Sequence, residues 1–178
     1  MIAATLLLSD VGVALSDQKD IRLPKLFSDL KLSASEDVAQ VVEKKIWEIW
    51  ASHKVSKIDL LMDRGIKLLN NNNLNEALVV FNFIVDQAPD FSEGWNKRAT
   101  IYFLMGDFEK SMHDIESTLA LEPRHFGAIA GLGLIFNILE RPELALKAFR
   151  RVKEIYPLSR SAERFIRKLN KTIPQFRL

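Results

Sequence analysis

The chain has 178 residues, 48% apolar and 27% charged, with a formal net charge of +2, which is ordinary material for one compact domain or a short solenoid. Only 7 Gly and 6 Pro, beside abundant Leu, Ala, Lys and Glu, argue against a turn-rich sandwich or barrel and set an all-α expectation. Zero cysteines exclude disulfides, thiolate zinc sites and a thiol nucleophile while leaving the compartment open, and no apolar run reaches the roughly 18 residues that a membrane-spanning helix needs.

Residues 1–16, MIAATLLLSDVGVALS, read as a secretory signal peptide, with Ala14 and Ser16 set for cleavage before Asp17. Export, to a periplasm in a bacterial envelope, is the expected localisation. The start carries no Lys or Arg and Asp10 interrupts the apolar stretch, so a cytoplasmic chain with a frayed N-terminus is the alternative. In residues 17–57, the segments 24–32 and 36–52 read as a helical pair with Ile46, Trp47 and Trp50 on the second. Six further helices are expected at 58–70, 74–87, 92–104, 108–121, 126–138 and 142–155. Between them NNNN at 70–73, MGDF at 105–108 and ERPE at 140–143 supply turn chemistry, Gly and Asn tolerating the left-handed conformation that ends a helix and Pro142 suiting a first turn. Ser159 opens a last helix, in which Ala162, Phe165, Ile166 and Leu169 make one apolar stripe and Arg160, Arg164, Arg167, Lys168 and Lys171 face water, as on a cap. Residues 141–178 hold 11 Lys+Arg against 3 Asp+Glu, and the first 140 hold 14 against 20, so the charge is polarised.

The helices repeat. Pro89, Pro123 and Pro157 stand 34 apart, each closing an apolar helix. In the same register run Leu61, Trp95 and Ile129; Gly65, Ala99 and Gly133; Leu68, Tyr102 and Phe136; Ala77, Ser111 and Ala145; and Phe81, Ile115 and Phe149. Small residues at helical spacing let two antiparallel helices approach, and the aromatic of the partner fills the remaining space. These columns resemble the tetratricopeptide-repeat family over residues 58–159. The resemblance implies an all-α solenoid of three helical hairpins, 58–91, 92–125 and 126–159, with residues 160–178 as a capping helix and tail. The pair in 17–57 is about one repeat long, and Trp47 sits 34 before Phe81, but Val55 replaces the closing proline and Lys31 stands where the small residue belongs. It reads as a divergent hairpin capping the N-terminal end; the alternative is a docking helix folded back on the groove.

Catalysis finds little support. His53, His113 and His125 are scattered, and no Ser/His/Asp order, phosphate-cradling glycine loop or HExxH pattern occurs. Glu109, His113 and Glu116 share a helical face, but a metal site would need a fourth partner, and a solvated polar face explains them better. No cofactor or metal is implied. The basic C-terminus lacks the interleaved aromatics that stack on bases, which disfavours nucleic acid. Arg64 and Arg98 occupy equivalent places beside apolar neighbours, where an internal charge must be paired. Asp63 is one candidate partner for Arg98, with Asp86 or Asp114 across hairpins.

In the family, first helices of successive repeats line a concave groove that takes an extended or helical peptide. Carried over by position, the resemblance implies a groove of Asp59, Met62, Asp63 and Ile66, then Glu93, Asn96, Lys97, Thr100 and Phe103, then Gly127, Ala130, Gly131, Leu134 and Asn137. Members that clamp a C-terminal carboxylate use several Lys, Arg and Asn residues there, of which only Asn96 and Lys97 are present, so that mode is disfavoured. Gly131, with Ala130, should leave a hollow bounded by Thr100, Phe103 and Leu134 for one apolar side chain, unless the glycine only accommodates a neighbour such as Tyr102. The expected function is a non-catalytic scaffold or adaptor binding a protein or peptide segment. The alternative is a structural subunit of a homo-oligomer or envelope complex whose groove is filled by its own N-terminal segment or a second copy.

Overall fold

A computed structural model describes residues 17–172. The candidate signal, residues 1–16, and the tail from 173 onward lie outside the described residues. The described chain is nine helices without a strand: α1 (Leu23–Lys31), α2 (Glu36–Ala51), α3 (Ser56–Asn70), α4 (Leu74–Gln87), α5 (Ser92–Leu104), α6 (Phe108–Leu121), α7 (Phe126–Ile138), α8 (Pro142–Ile155) and α9 (Arg160–Thr172). None of them is long and apolar enough to cross a membrane. From α3 to α8 every helix packs on its chain neighbours, giving an all-α solenoid of helical hairpins.

The small-against-aromatic columns close the first and third hairpins. A Cβ on Gly65 would lie 2.6 Å from the Phe81 ring, and one on Gly133 would lie 2.8 Å from the Phe149 ring. In the second hairpin Ser111 donates its hydroxyl to the Ala99 carbonyl at 2.8 Å, holding α6 against α5 by a hydrogen bond instead of an aromatic plug. α9 lays Phe165 flat on Phe149, ring centroids 4.6 Å apart and 3° from parallel, and buries Ala162 and Leu169.

The hairpin α1–α2 is formed but is not stacked on α3. It runs across the corners where one repeat ends and the next begins. Arg160 pairs with Glu36 at one end of α2, Tyr156 donates its hydroxyl to Glu43 at 3.1 Å, Trp50 stacks on His125, and His53 meets Phe91 just beyond the other end. Phe91, His125 and Ser159 are 34 apart, so α2 crosses three successive corners. Sixteen residues at about 1.5 Å each span roughly 24 Å, more than the roughly 16–20 Å of two steps between packed helices. Beneath α2, Leu23, Phe27 and Leu30 of α1 share one core with Phe126, Ile129, Val152 and Tyr156. Gln18, just before α1, reaches the Asp90 carbonyl and also accepts from the backbone N–H of Ser92 at 3.3 Å.

The turns inside the three hairpins carry the same backbone device. Asn72, Gly106 and Glu140, spaced by 34, have φ of 59°, 78° and 55°. Gly and Asn tolerate the left-handed region, whereas a long side chain there costs about 1 to 2 kcal/mol. Replacing Glu140 by Gly is expected to raise stability by about 1 kcal/mol, or roughly 2–4 °C in Tm for a chain of this size, measured by calorimetry.

Candidate functional site

The concave face is built from α5 and α7 with the N-terminal hairpin at its rim. Its buried hub is Glu93, in the first turn of α5. Its side chain is fully buried; one oxygen takes the His125 Nε2–H at 2.8 Å and the Asn96 amide at 2.9 Å, and the other lies 2.9 Å from the Lys97 ammonium as an ion pair. His125 caps α7: its Nδ1 accepts from the Ala128 N–H at 3.1 Å, which fixes the ring proton on Nε2 and aims it at Glu93. Burial works against the carboxylate, but the Lys97 charge and the His125 hydrogen bond overcome it and hold Glu93 down at about 2. Above this hub Trp50 lies 4.0 Å from His125 at 10° to its plane, and Trp47 stands edge-on to both rings with Lys97 5.4 Å from its centroid.

Several groove expectations are therefore corrected. Met62 is fully buried in the α3–α4 core and presents nothing to a groove. Glu93 and Asn96 are buried too, and Asn96 spends its amide on Glu93. Gly127, expected in the groove, lies under α2: a Cβ there would sit 2.5 Å from the Trp47 ring, so the glycine is what lets α2 seat. Asp63 is exposed and Ile66 half-buried on α3, away from the hub, and Asn137 is half-buried near the far end of α7. Asn96 and Lys97, the two clamp-type residues, already hold an internal carboxylate.

Beyond Trp47 the remaining residues do come together. Asn96, Thr100, Phe103, Ala130, Gly131 and Leu134 line a hollow of about 260 Å³ between α5 and α7, floored by Ile115 and Ser111 of α6. A Cβ on Gly131 would meet the Ile115 Cδ1 at 3.2 Å and nothing else within ordinary contact except Ile115 Cγ1 at 4.0 Å. The neighbour it accommodates is thus Ile115, not Tyr102, and the rest of its surroundings are open.

Arg98 is the paired internal charge. It binds Asp114 through two hydrogen bonds of 2.7 and 2.8 Å, reaches Asn82 of the preceding repeat at 3.1 Å and lies 4.9 Å from the Trp95 ring centroid. Asp114 is the partner, not Asp63. The bidentate bond to Asp114 raises the Arg98 pKa further above its already basic value. Arg64, in contrast, is exposed and pairs with no acid among the described residues. Glu109, His113 and Glu116 are likewise exposed, and no group of three potential metal ligands occurs among the described residues.

No family model matches the chain. A TPR repeat-containing protein of Rhizobium etli is 39% identical over 142 residues, 80% of this chain and 70% of that protein. The chain belongs to the tetratricopeptide-repeat family. The small glutamine-rich tetratricopeptide repeat-containing protein 2 of Saccharomyces cerevisiae is 27% identical over 123 residues, which span 69% of this chain but only 35% of that protein. Among solved structures, the first TPR of Spaghetti bound to an HSP90 peptide superposes with a TM-score of 0.63 at 24% identity, covering 66% of this chain and 94% of that one. The Yersinia enterocolitica type III secretion chaperone SycD, in complex with a peptide of the translocator YopD, gives 0.63 at 9% identity over 68% and 98%. At such identities these likenesses concern the tetratricopeptide fold.

Two outcomes follow from the buried charges. The Glu93 carboxyl is held below its ordinary value, so its contribution is complete above about pH 4.5 and is lost as pH falls towards about 2. Glu93→Gln is expected to lower stability at neutral pH by several kcal/mol and to flatten the acid limb of a Tm-against-pH curve over that window. Arg98→Leu alone should cost about 3 kcal/mol, because it strands a buried Asp114. Adding Asp114→Ala copies the Leu132 and Ala148 pair that the third repeat has in this register, and most of the loss should return in denaturant melts.

Proposed function

We propose that this tetratricopeptide-repeat protein is a non-catalytic interaction scaffold that takes a protein or peptide segment along the concave face, seating one apolar side chain in the hollow between α5 and α7. The observation that carries this reading is the hollow itself. It is open, is walled by Phe103, Leu134 and Ala130, and has the exposed Thr100 as a polar neighbour for a peptide backbone. Solved relatives in fold that hold peptides, an HSP90 peptide in one and a YopD peptide in another, lend the reading support by analogy. Because Asn96 and Lys97 are committed to Glu93, the segment is read through its side chains and backbone instead of a terminal carboxylate.

The other reading, a structural subunit whose groove is occupied by its own N-terminal segment, draws on Trp47 seated over Gly127. Trp47 covers the mouth of the face near the α5 and α7 N-termini. The hollow around Gly131 lies about a turn further along α7 and favours the first reading.

Gly131→Leu discriminates. Its Cβ asks only a small movement of the end of Ile115, and its remaining atoms fill the hollow. Panning a random peptide display library on wild type should enrich sequences with a recurrent large apolar residue. The variant should melt no lower than wild type, gaining up to about 1 kcal/mol from helix propensity, and should lose that enrichment. Unchanged enrichment by a folded variant would remove the hollow from the binding surface.

A further inference from the structure

In a helical solenoid the leading face of each repeat is covered by the repeat before it. Gly94 on α5 and Ala128 on α7 occupy that face 34 residues apart, and both are buried. A Cβ on Gly94 would come 2.9 Å from Ile84 of the preceding repeat. Their counterpart on α3 is Leu60, which is 70% exposed, because α1 and α2 lie across the corners instead of in front of α3. Beside it on α4, Val79 is 70% and Phe83 38% exposed. In this register the second and third repeats carry His113 and Lys147 for the first, and Ser117 and Arg151 for the second. On α4 the first repeat is thus apolar where the others are polar, and Leu60 beside it is bare where Gly94 and Ala128 are covered.

Its charges are sorted by helix. The outward stripe of α3 reads Lys57, Leu60, Arg64 and Lys67, and that of α4 reads Glu76, Val79, Phe83 and Asp86; the two stripes share the spacing +3, +7, +10 of one helical face. All five charged residues of the two stripes are exposed, with the three cations on one helix and the two acids on the other. Arg64 is the telling member. Its counterpart Arg98 holds Asp114 and Asn82 of the preceding repeat. Arg64 has Val80 in the place of Asp114 and no preceding repeat to reach, so its guanidinium sits on an apolar face without an acid.

We propose that a second copy of this chain docks on this face, first repeat against first repeat, about a two-fold axis parallel to α3 and α4. Such an axis lays α3 of one copy antiparallel along α4 of the other and preserves height along the helices. Gly65 against Phe81 and Val80, and Lys57 5.0 Å from the Phe83 centroid, fix which residues of α3 and α4 share a level. Lys57 then meets Asp86 of the second copy, Leu60 meets Phe83, and Arg64 and Lys67 reach Glu76 across Val79. Every contact occurs twice, as an isologous interface requires. The perpendicular in-plane axis would set α3 on α3 and oppose cation to cation, so charge selects the orientation. A face about 22 Å long and two helices wide buries on the order of 900 Å² in total, at the low end for specific pairs, so the dimer is reversible.

Sedimentation of the full chain across the micromolar range tests this. The wild-type mass should rise with concentration from 20.3 kDa towards twice that value. Phe83→Asp, with helical circular dichroism and Tm retained, should stay monomeric at every concentration. Glu76→Lys and Lys67→Glu should each weaken association about tenfold, and the double exchange should restore it, since the pair is reconstituted across the axis. Four results would overturn the proposal: a monomer throughout, association indifferent to Phe83→Asp, no rescue by the double exchange, or dimerisation only after residues 1–16 are removed. The last would assign the face to that segment.

Discussion

A carboxylate taken out of water imposes its needs on everything around it, and in this chain that carboxylate is Glu93. One of its oxygens takes hydrogen bonds from Asn96 on its own element and from His125 of the next repeat, and the other, without a hydrogen bond of its own, is compensated by the Lys97 charge. Meeting that need fixes the start of α7 relative to the start of α5. It also fixes the imidazole plane, because His125 must accept from Ala128 with one nitrogen and donate with the other. The plane so fixed is the surface on which Trp50 stacks, and Trp47 follows one turn earlier on the same helix. The N-terminal hairpin therefore owes its seat to an ion cluster buried beneath it. Trp50 contributes at a cost, since its buried indole N–H finds no acceptor; the gain is in the stacked area.

The hairpin in turn ties together corners that a bare solenoid leaves independent. In a repeat array each unit contacts only its neighbours, and terminal repeats fray. α2 links the corner at Phe91 to that at Tyr156 and Arg160 across more than sixty residues of sequence. Tyr156 shows how closed this junction is: burial, and the neighbouring Glu43 carboxylate to which it donates, push its phenol up to about 12. The brace makes the second and third repeats and the cap one unit. It also takes α1 and α2 away from the front of α3, and that displacement is what leaves Leu60 in water.

The architecture was legible because one period repeats it. Three prolines, three small residues and columns of large apolar residues at a spacing of 34 set each helix of the solenoid within two residues of its observed ends. Within-repeat contacts such as Gly65 on Phe81 are local enough for spacing alone to predict. What could not be read is long-range. Nothing near Trp47 says that its ring will rest on Gly127, eighty residues later, because helix periodicity gives the buried face of α2 but not its partner. Glu93 looked like a groove residue because its position in the repeat faces the groove. A signal did exist in the columns: Phe91, His125 and Ser159 share a register and are all buried, so a histidine there demanded a polar partner. The column of Glu93 then offered Gly127 in the next repeat, a vacancy beside that histidine wide enough for an aromatic.

The same comparison of columns separates two arginines that look alike in sequence. At the position of Arg98 the surrounding repeat supplies an acid on its own second helix and an amide on the repeat before, and the guanidinium, half enclosed, becomes a tie between repeats. At the position of Arg64 the acid is replaced by Val80 and the repeat before is absent, so the same residue becomes a charge at an edge. In the third repeat the residue is Leu132 and the acid Ala148, both packed into the cores there. One column thus shows three solutions to the same contact: an ion pair where the position is enclosed and paired, an apolar pair where it is enclosed without a partner, and a cation where it is open. The choice follows how completely water is excluded at each step of the solenoid, which makes the first repeat the step where the chain still presents unspent charge and apolar surface together.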